Sequence, residues 1–346
     1  MSNGKMVVSA SVMGSKNVNI DTVIAGIKKN NFVVVGRAGM DLFPHPAGTK
    51  TEEATDFKSD LGGSSANIAA GICKFGGKAS LVTTVSDDSV GRFCLNRLDH
   101  YGVSREYVRS IGGEFRNSLA LYESRVEDHQ SVIYRNGAAD FEMTLEDVEK
   151  VDYSKFGALI TAGTVFAAEP SRSAAFRAFE LAKAAGLPVI FDVDYRPYSW
   201  PSAEVAADVL SRAGAQSDVI VGNDEEFGFM AGGIEKGLAK ARELAETSVS
   251  IVIYKMGEKG AITFAADEKI ETGIYRVEAL KPTGAGDSFM AGLMSSIADG
   301  HDLRSGILRG SACAAIVVGK PGCAPAMPNN EQLEEFLSTH PGPSKP

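Results

Sequence analysis

From residue 32 onward, short runs of β-branched and other apolar residues alternate with longer segments that carry apolar residues at helical spacing. The short runs, which predict strands, are residues 32–36, 79–85, 158–162, 188–193, 218–221 and 250–255. The longer segments, which predict helices, are residues 64–77, 90–101, 171–185, 202–213, 234–245, 286–298, 303–318 and 329–337. Unbroken apolar strands separated by amphipathic helices are typical of a parallel sheet covered on both faces. We therefore predict an α/β, doubly wound fold with a mostly parallel sheet, which binds ligands at the carboxyl ends of its strands.

Two stretches interrupt this alternation. Residues 44–61 are polar and contain glycine and proline, whereas residues 118–135 read as two alternating strands joined by a charged turn at 126–130. We predict that segments 43–61 and 115–137 form a small β-sheet lid. One apolar face of such a sheet needs cover, which a substrate, a second subunit or both can supply, so we expect a homodimer through the lid.

The length of 346 residues suits one large domain with an appendage. We assign residues 31–340 to this domain. Residues 1–30 carry little periodicity and are rich in Ser, Asn and Gly near their start. We expect them to form an N-terminal extension, partly disordered or docked on the surface.

The charge and composition argue against several functional classes. The net charge is −9 and no cluster of Lys and Arg appears, so we expect no nucleic-acid partner. No apolar run approaches the ~18 residues of a membrane span, and the N-terminus lacks a signal-peptide pattern, so we predict a cytoplasmic protein without a membrane partner. The five histidines are scattered and the four cysteines show no CxxC pair, which makes a zinc site improbable on spacing.

The segment Gly284-Ala285-Gly286-Asp287 carries the sharpest chemical signal. Small residues lead directly into a predicted helix, so the amides of its first turn point outward with the positive end of the helix dipole behind them. Such a turn forms an anion hole that suits a transferring phosphoryl group. Asp287 is placed to accept a proton from an attacking hydroxyl. By itself the motif is more typical of an ordinary glycine-rich turn with an acidic first helical turn, and the other motifs of the chain decide for the anion hole.

Two common nucleotide-binding motifs are missing from the sequence. There is no GxxxxGK[ST] loop, and the first predicted strand is followed by Gly36-Arg37-Ala38-Gly39 rather than by GxGxxG. These absences weaken the P-loop and dinucleotide-enzyme interpretations.

Three motifs in order carry a family resemblance. They are the segment 62–69 (Gly-Gly-Ser-Ser-Ala-Asn-Ile-Ala), the segment 223–226 (Asn-Asp-Glu-Glu) and the segment 284–287. Together they resemble the ribokinase (PfkB) family of carbohydrate kinases over residues 32–330. The resemblance implies a ribokinase-like fold, ATP as phosphoryl donor, Mg²⁺ as cofactor, Asp287 as base and the amides of Gly284, Ala285 and Gly286 as anion hole.

The same resemblance assigns further roles residue by residue. Asn223 and Glu226 match a motif that organises Mg²⁺ and phosphate mostly through water, although the local sequence equally fits a helix start with Asn as its cap. The implied sugar-binding residues are Asp41, at the close of the first strand, with Gly62, Gly63 and Asn67. The implied nucleotide-binding residues are Asn223, Lys255, Gly257, Gly260 and Thr283.

The acceptor is suggested by three arginines. Arg37, Arg135 and Arg196 fall at predicted strand ends or lid edges, and a guanidinium holds a carboxylate with two hydrogen bonds, although each alone is as typical of a surface ion pair. Segments 36–42, 134–140 and 191–200 resemble the branch of the family that acts on a keto sugar acid, 5-dehydro-2-deoxy-D-gluconate, in myo-inositol breakdown. The alternatives are a 2-keto-3-deoxygluconate kinase, a neutral-sugar kinase of fructokinase or ribokinase type, and a non-catalytic sensor on the same fold.

The segment Lys281-Pro282 departs from the family pattern. Most members have Asp-Thr-x directly before Gly-Ala-Gly-Asp, whereas this chain has Lys281-Pro282-Thr283. Those positions help to hold an activating monovalent cation in many members, and a lysine ammonium repels K⁺. The resemblance therefore leaves potassium dependence open.

Overall fold

The computed structural model describes residues 19–125 and 127–344. Within them, thirteen strands form one sheet of nine strands and a separate sheet of four. The strands are β1 (Asn31–Val35), β2 (Gly39–His45), β3 (Asp56–Gly62), β4 (Lys78–Ser86), β5 (Ser104–Ile111), β6 (Leu119–Tyr122), β7 (Ser131–Tyr134), β8 (Ala158–Ala162), β9 (Val189–Asp192), β10 (Val219–Asn223), β11 (Ile251–Lys255), β12 (Ala261–Ala265) and β13 (Glu268–Thr272).

The large sheet has the order β13-β12-β11-β10-β9-β8-β1-β4-β5. The strands from β5 to β11 pair in parallel, and β12 and β13 add an antiparallel edge. On one side of β1 the sheet continues with β4 and β5, and on the other side it continues with β8, β9, β10 and the later strands. The strand order therefore reverses between β1 and β8, and such a reversal opens a crevice at the carboxyl ends of the strands. The predicted doubly wound, mostly parallel fold is confirmed.

Helices cover both faces of this sheet. They are α1 (Ile20–Ile27), α2 (Ser64–Lys74), α3 (Ser89–Tyr101), α4 (Leu145–Glu149), α5 (Ser171–Ala184), α6 (Ala203–Gln216), α7 (Asp224–Met230), α8 (Gly237–Thr247), α9 (Ala285–Ala298), α10 (Leu303–Val318) and α11 (Asn330–Thr339). Among the described residues no helix is long and apolar enough to cross a membrane.

The alternation of side chains along β1 divides the core in two. Phe32 and Val34 pack among residues of α1, α2, α3 and α9, whereas Val33 and Val35 pack among residues of α5, α6, α7 and α8. All four side chains are fully buried. Because both faces of a parallel strand are covered, its sequence is a continuous apolar run.

The sequence analysis did not predict several of these helices and strands. Helix α1 lies inside the segment assigned to the N-terminal extension, yet Val23 and Ile27 are fully buried in the core. With eight residues, this helix offers only about two turns of periodicity to detect. The expectation of a segment docked on the surface is therefore wrong for residues 20–27, and residues 1–18 lie outside the described part of the chain. The edge strands β5, β12 and β13 and the short helix α4 were also missed, and helix α7 was predicted only as an alternative for segment 223–226.

The small sheet is the lid, with the order β3-β2-β6-β7. Its β2 and β6 pair in parallel, and its other pairs are antiparallel. It begins at Gly39, four residues before the predicted boundary, because β2 follows β1 after only three residues. Asp41 consequently lies within a lid strand, and the expectation that it closes the first strand of the large sheet is wrong. Val126, in the predicted charged turn, lies outside the described residues.

Candidate active site

A cavity of about 550 Å³ lies between the carboxyl ends of β1, β9, β10 and β11 and the lid. All but two of the site residues predicted from the sequence line it. These are Arg37, Asp41, Gly63, Asn67, Arg135, Arg196, Asn223, Glu226, Lys255, Gly257, Thr283, Gly284, Ala285, Gly286 and Asp287. Because these residues come from seven separate segments of the chain, the fold alone brings them together.

The two exceptions are glycines next to the cavity. Gly62 lies behind Asp41, since a Cβ at position 62 would stand 1.9 Å from Asp41 Oδ1. Gly62 therefore makes room for that carboxylate and does not face the cavity, contrary to the sequence interpretation. Gly260 lines a neighbouring hollow of about 180 Å³ instead, which shares Lys255, Gly257 and the Ala285-Gly286 pair with the main cavity.

The Gly284 turn opens helix α9. Gly284 has φ of 84°, a left-handed conformation that favours glycine, and no side chain caps the helix behind it. A Cβ at this position would also approach Cys323 Sγ to 3.0 Å and Val317 Cγ1 to 3.2 Å. Backbone conformation and packing therefore both demand glycine here. The uncapped first turn of α9 forms part of the cavity wall, as an anion-binding turn must.

Asp287 stands in the first turn of α9 and accepts a hydrogen bond of 2.9 Å from Asn67 Nδ2. Asn67 belongs to the first turn of α2, so the amino-terminal ends of two helices meet at this carboxylate. Burial raises the pKa of Asp287 to about 6, with a further contribution from the Asp194 carboxylate, while Asn67 and two arginines oppose the shift. A carboxylate with this pKa is well suited to general-base chemistry near neutral pH.

Asp192 ends β9 and Asp194 follows it, within the segment 191–200 that suggested the acceptor, but neither was predicted as a site residue. Both line the cavity, and Asp194 holds a left-handed φ of 35° while accepting a hydrogen bond from Ser64 Oγ at 2.5 Å and forming an ion pair with Arg196 Nη2 at 2.7 Å. Burial raises the pKa of Asp192, and the Lys255 ammonium opposes this shift. The sequence signal for them was the Asp-x-Asp-x-Arg pattern directly after a predicted strand.

The inward face of the lid supplies the other missed wall residues. Tyr122, Ser131 and Ile133 alternate along β6 and β7 toward the cavity, and His129 precedes β7. The sequence indicated them only through the alternation of side chains along the predicted lid strands, in which every second residue faces the same side.

Asn223 and Glu226 form a capping box at the start of α7. Asn223 Oδ1 accepts from the Glu226 amide at 2.8 Å, and Glu226 Oε2 accepts from the Asn223 amide at 2.7 Å. The helix-cap alternative is thus realised, although both residues also line the cavity. Burial raises the pKa of Glu226, with Lys255 opposing.

The three arginines differ in their partners. Arg135 pairs with Asp140 and donates to the Thr164 carbonyl at 2.9 Å, and Arg196 pairs with Asp194. Arg37 is 5% exposed and donates to Ser118 Oγ at 2.9 Å, and none of the ion pairs between described residues includes it. The Asp41, Asp140 and Asp194 carboxylates lie near enough to favour its charge, but none of them forms a direct ion pair with it. A buried guanidinium in a cavity wall that lacks a direct ion pair can bind an anionic ligand.

Three acceptor oxygens in the cavity wall are buried without a hydrogen-bond partner among the described residues. They are Asp41 Oδ1, Asn67 Oδ1 and Thr164 Oγ1. Burial raises the pKa of Asp41 to about 7, although Arg37 opposes the shift. Unsatisfied buried polar atoms are costly, so their presence at one cavity indicates a ligand rich in hydroxyl groups.

Residues 29–330 match the family model described as pfkB family carbohydrate kinase. The chain belongs to the pfkB family. This assignment confirms the resemblance carried by the three sequence motifs. The protein is a carbohydrate kinase, a phosphotransferase with an alcohol group as acceptor.

Among the relatives of this chain, a 5-dehydro-2-deoxygluconokinase from Photobacterium profundum is 36% identical over 89% of this chain and 94% of its own length. A 5-dehydro-2-deoxygluconokinase from Clostridium perfringens is 34% identical over 90% of this chain and 93% of its own. The similarity thus extends through the whole of each relative.

Solved structures agree on the fold. A fructokinase with bound ATP from Xylella fastidiosa has a TM-score of 0.79 at 20% identity, covering 90% of this chain and 98% of its own. A fructokinase double mutant from Vibrio cholerae, bound to fructose, ADP and a potassium ion, has a TM-score of 0.77 at 25% identity, covering 89% and 98%.

The pKa of Asp287 generates a prediction for the pH dependence of kcat/KM, which reports the ionisation of the enzyme without substrate. A base acts in its ionised form, so a raised pKa means that kcat/KM should climb as the pH rises through about 6 and level off above it. Asn67→Ala removes a hydrogen bond that favours the carboxylate, and should move this acidic limb upward by about half to one pH unit. The exposed Asn96→Ala is the matched control, and an unmoved limb in Asn67→Ala would contradict the assignment.

Proposed function

We propose that this kinase transfers the γ-phosphoryl group of ATP to a primary hydroxyl of a keto sugar acid, 5-dehydro-2-deoxy-D-gluconate, in myo-inositol catabolism in the cytoplasm. The names of the relatives at 34–36% identity support the acceptor. The observation that carries the proposal is Arg37, a buried guanidinium in the cavity wall that forms no ion pair with the described residues. Fructose and ribose have no carboxylate to match it.

The acceptor would lie between the lid and helix α2. Its carboxylate would bind Arg37, with Arg135 and Arg196 adding positive charge from the neighbouring walls. The unpartnered oxygens of Asp41, Asn67 and Thr164 would accept hydrogen bonds from sugar hydroxyls. Gly63, the cap of α2 with φ of 96°, lets the backbone approach the ligand closely.

The phosphoryl group would pass between Asp287 and the first turn of α9. Asp287 accepts the proton of the attacking hydroxyl as the bond to phosphorus forms. The amides of Ala285 and Gly286 stabilise the charge that develops on the equatorial oxygens, because they are fixed in place before the reaction. Gly286 lets the phosphates approach, since a Cβ there would stand 3.8 Å from Lys255 Nζ and 3.9 Å from Asp192 Oδ2.

The nucleotide would extend from this turn toward Gly257 and Gly260. The hollow of about 180 Å³ beyond Lys255 has a largely apolar wall that includes Phe289 and Ile307, which suits a purine ring. Lys255, whose Nζ lies 5.4 Å from the centre of the Phe289 ring, would pair with a phosphate. Thr283 lines the path between the two ligands.

Mg²⁺ would be held near Asn223 and Glu226, mostly through water. Burial raises the pKa of Glu226 and of Asp192, neighbouring carboxylates add to the shift, and a cation would favour the charged forms of both groups. Among the described residues no cluster of three or more His, Cys, Asp or Glu side chains could hold a metal ion. An ion that keeps several waters and binds substrate phosphates needs few protein ligands. Bound there, Mg²⁺ would neutralise charge on the ATP phosphates.

A homodimer through the lid is part of the proposal. The outer face of the lid carries Leu42, Leu121 and Val132 in one cross-strand row, with Tyr134 and Phe57 beside it. Tyr134 is 62% and Val132 43% exposed. Because the inward face is committed to the substrate, this outer face is the one left for a second copy.

The kinase proposal is tested by ADP release from purified protein with ATP and Mg²⁺. The acceptors are 5-dehydro-2-deoxygluconate, 2-keto-3-deoxygluconate, fructose and ribose. We expect turnover of the first acceptor, and Asp287→Asn should lower kcat by about 10²- to 10⁴-fold while ATP binding persists, because only the base is lost. Asp299→Asn, at the exposed other end of α9, is the control. Turnover of neutral sugars without turnover of either acid would overturn the acceptor, and absence of all turnover would favour a sensor.

The binding of the substrate carboxylate by Arg37 has a separate test. Arg37→Met should raise KM for the sugar acid by about 10- to 100-fold, since a hydrogen-bonded charge partner is lost, and should leave KM for ATP unchanged. Arg37→Lys keeps the charge without the two-pronged geometry and should fall between. The exposed Arg92→Met serves as control. An equal rise of both KM values would assign Arg37 to general site architecture instead.

Light scattering tests the dimer. The wild-type protein should show twice the 36.5 kDa mass of the chain. Tyr134→Asp should give monomers, because a charge buried in an apolar interface is costly. Ile234→Asp, at a side chain that is 64% exposed and away from the lid, should leave the mass unchanged. A monomeric wild-type protein would refute the lid interface.

A further inference from the structure

Lys281 is a fully buried lysine just before the Gly284 turn. A charged side chain of this kind is expensive to bury and is usually neutralised by a carboxylate. Lys281 instead donates to two backbone carbonyls, to Thr283 O at 2.5 Å and to Val317 O at 3.3 Å. None of the ion pairs between described residues includes it. Nothing in the kinase reaction as proposed above uses this side chain.

The second of these carbonyls belongs to the last turn of helix α10, Leu303–Val318. Carbonyls at a helix carboxyl end lack helical partners and carry the negative end of the dipole, so a cation is favoured there. The backbone strengthens the same junction, since the amides of Leu280 and Lys281 donate to Val318 O at 2.8 and 3.1 Å. The ammonium therefore bridges the end of α10 and the start of the segment that leads into α9.

The bridge ends one residue before the proposed anion hole. Thr283 O, held by the ammonium, precedes Gly284, whose Cα packs against Val317 and Cys323 with no space for a Cβ. The direction of the first-turn amides of α9 therefore depends on how residues 281–284 are held against α10. Burial lowers the pKa of Lys281, while the nearby acidic groups, including Asp287 and Asp41, favour its charged form.

We propose that Lys281 is a positioning residue for phosphoryl transfer, whose ammonium serves as a built-in monovalent cation that fixes the Thr283–Gly284 turn against the carboxyl end of α10. The role rests on the proposed function of the Gly284–Asp287 turn. Because the cation is covalently attached, we expect the enzyme to need no potassium or ammonium ion from solution, which is the dependence that the sequence left open.

The role of the Lys281 ammonium can be tested by replacing it with a cation from solution. If Lys281 is shortened to alanine, the two carbonyls remain and the space of the side chain opens. A small cation with carbonyl affinity, K⁺ or NH₄⁺, can then occupy the position of the lost ammonium. Lys281→Met fills the space with an apolar chain of similar length, so it removes the charge without opening a cation site.

The experiment measures kcat for the sugar acid at constant ionic strength, in tetramethylammonium chloride and with K⁺ or NH₄⁺ replacing that bulky cation. Wild-type kcat should be the same in all three salts. In tetramethylammonium, Lys281→Ala and Lys281→Met should each lose about 100-fold in kcat, because the reacting groups are misplaced, with KM for the sugar acid little changed. K⁺ or NH₄⁺ should raise the kcat of Lys281→Ala at least about tenfold and should leave the kcat of Lys281→Met unchanged.

Lys74 provides a matched control. Its ammonium also donates to backbone carbonyls, those of Ala324, Pro325 and Met327, but it lies at the other end of α2 from the active site. Lys74→Ala should keep wild-type kcat in every salt, and any loss of thermal stability should not respond to K⁺. A purely structural role of Lys281 would give it the same behaviour as Lys74.

Each outcome decides between proposals. Strong activation of the wild-type enzyme by K⁺ would overturn the built-in cation, and this result needs no variant to fold. Full kcat in Lys281→Ala, or a loss that neither K⁺ nor NH₄⁺ restores, would also overturn it while leaving the kinase proposal intact. Absence of wild-type turnover with every acceptor would instead overturn the proposed function, and the role of Lys281 with it.

Discussion

The hydrogen bond from Asn67 to Asp287 joins the first turns of helices α2 and α9, which are 220 residues apart in the chain. It forms beside the crevice where the strand order of the large sheet reverses. Two helix dipoles with their positive ends directed at one carboxylate make an environment that favours negative charge. Burial of that carboxylate works in the opposite sense, and the balance leaves Asp287 with a pKa of about 6. The lid, the arginines and the Gly284 turn are all arranged around this point.

The cavity is best understood as a charge balance that its ligands complete. Asp41, Asp192 and Glu226 are buried carboxyl groups whose pKa values are raised, mainly because burial disfavours their charged form. Arg37 is a buried cation without an ion pair among the described residues, and Lys281 is a cation satisfied by carbonyls alone. In the proposed function, a sugar acid and a metal-bound nucleotide would bring charges of both signs to these groups, so their binding would compensate the charges that folding leaves unpaired.

Local sequence patterns predict much of this architecture, and the elements that the sequence analysis missed or misplaced also have local causes. Continuous apolar runs such as β1 and β8 are read directly because both of their faces are buried. The edge strand β12 alternates buried and half-buried residues over only five positions, and β13 buries only two of its five residues, which is too little periodicity to separate either from a turn. Asp41 was assigned to the wrong strand because only three residues separate β1 from the lid.

The sequence by itself determined the doubly wound fold, the family and the Gly284–Asp287 turn, because periodicity, glycine and helix-starting residues act within a few positions of one another. Only the tertiary structure decided which charged groups have partners. Arg37 meets Ser118 across 81 residues, and Lys281 meets Val317 across 36. Whether a buried cation is paired depends on distance in space, and no local pattern encodes that distance. The roles proposed for both residues, one in acceptor binding and one in positioning, arise from that tertiary information.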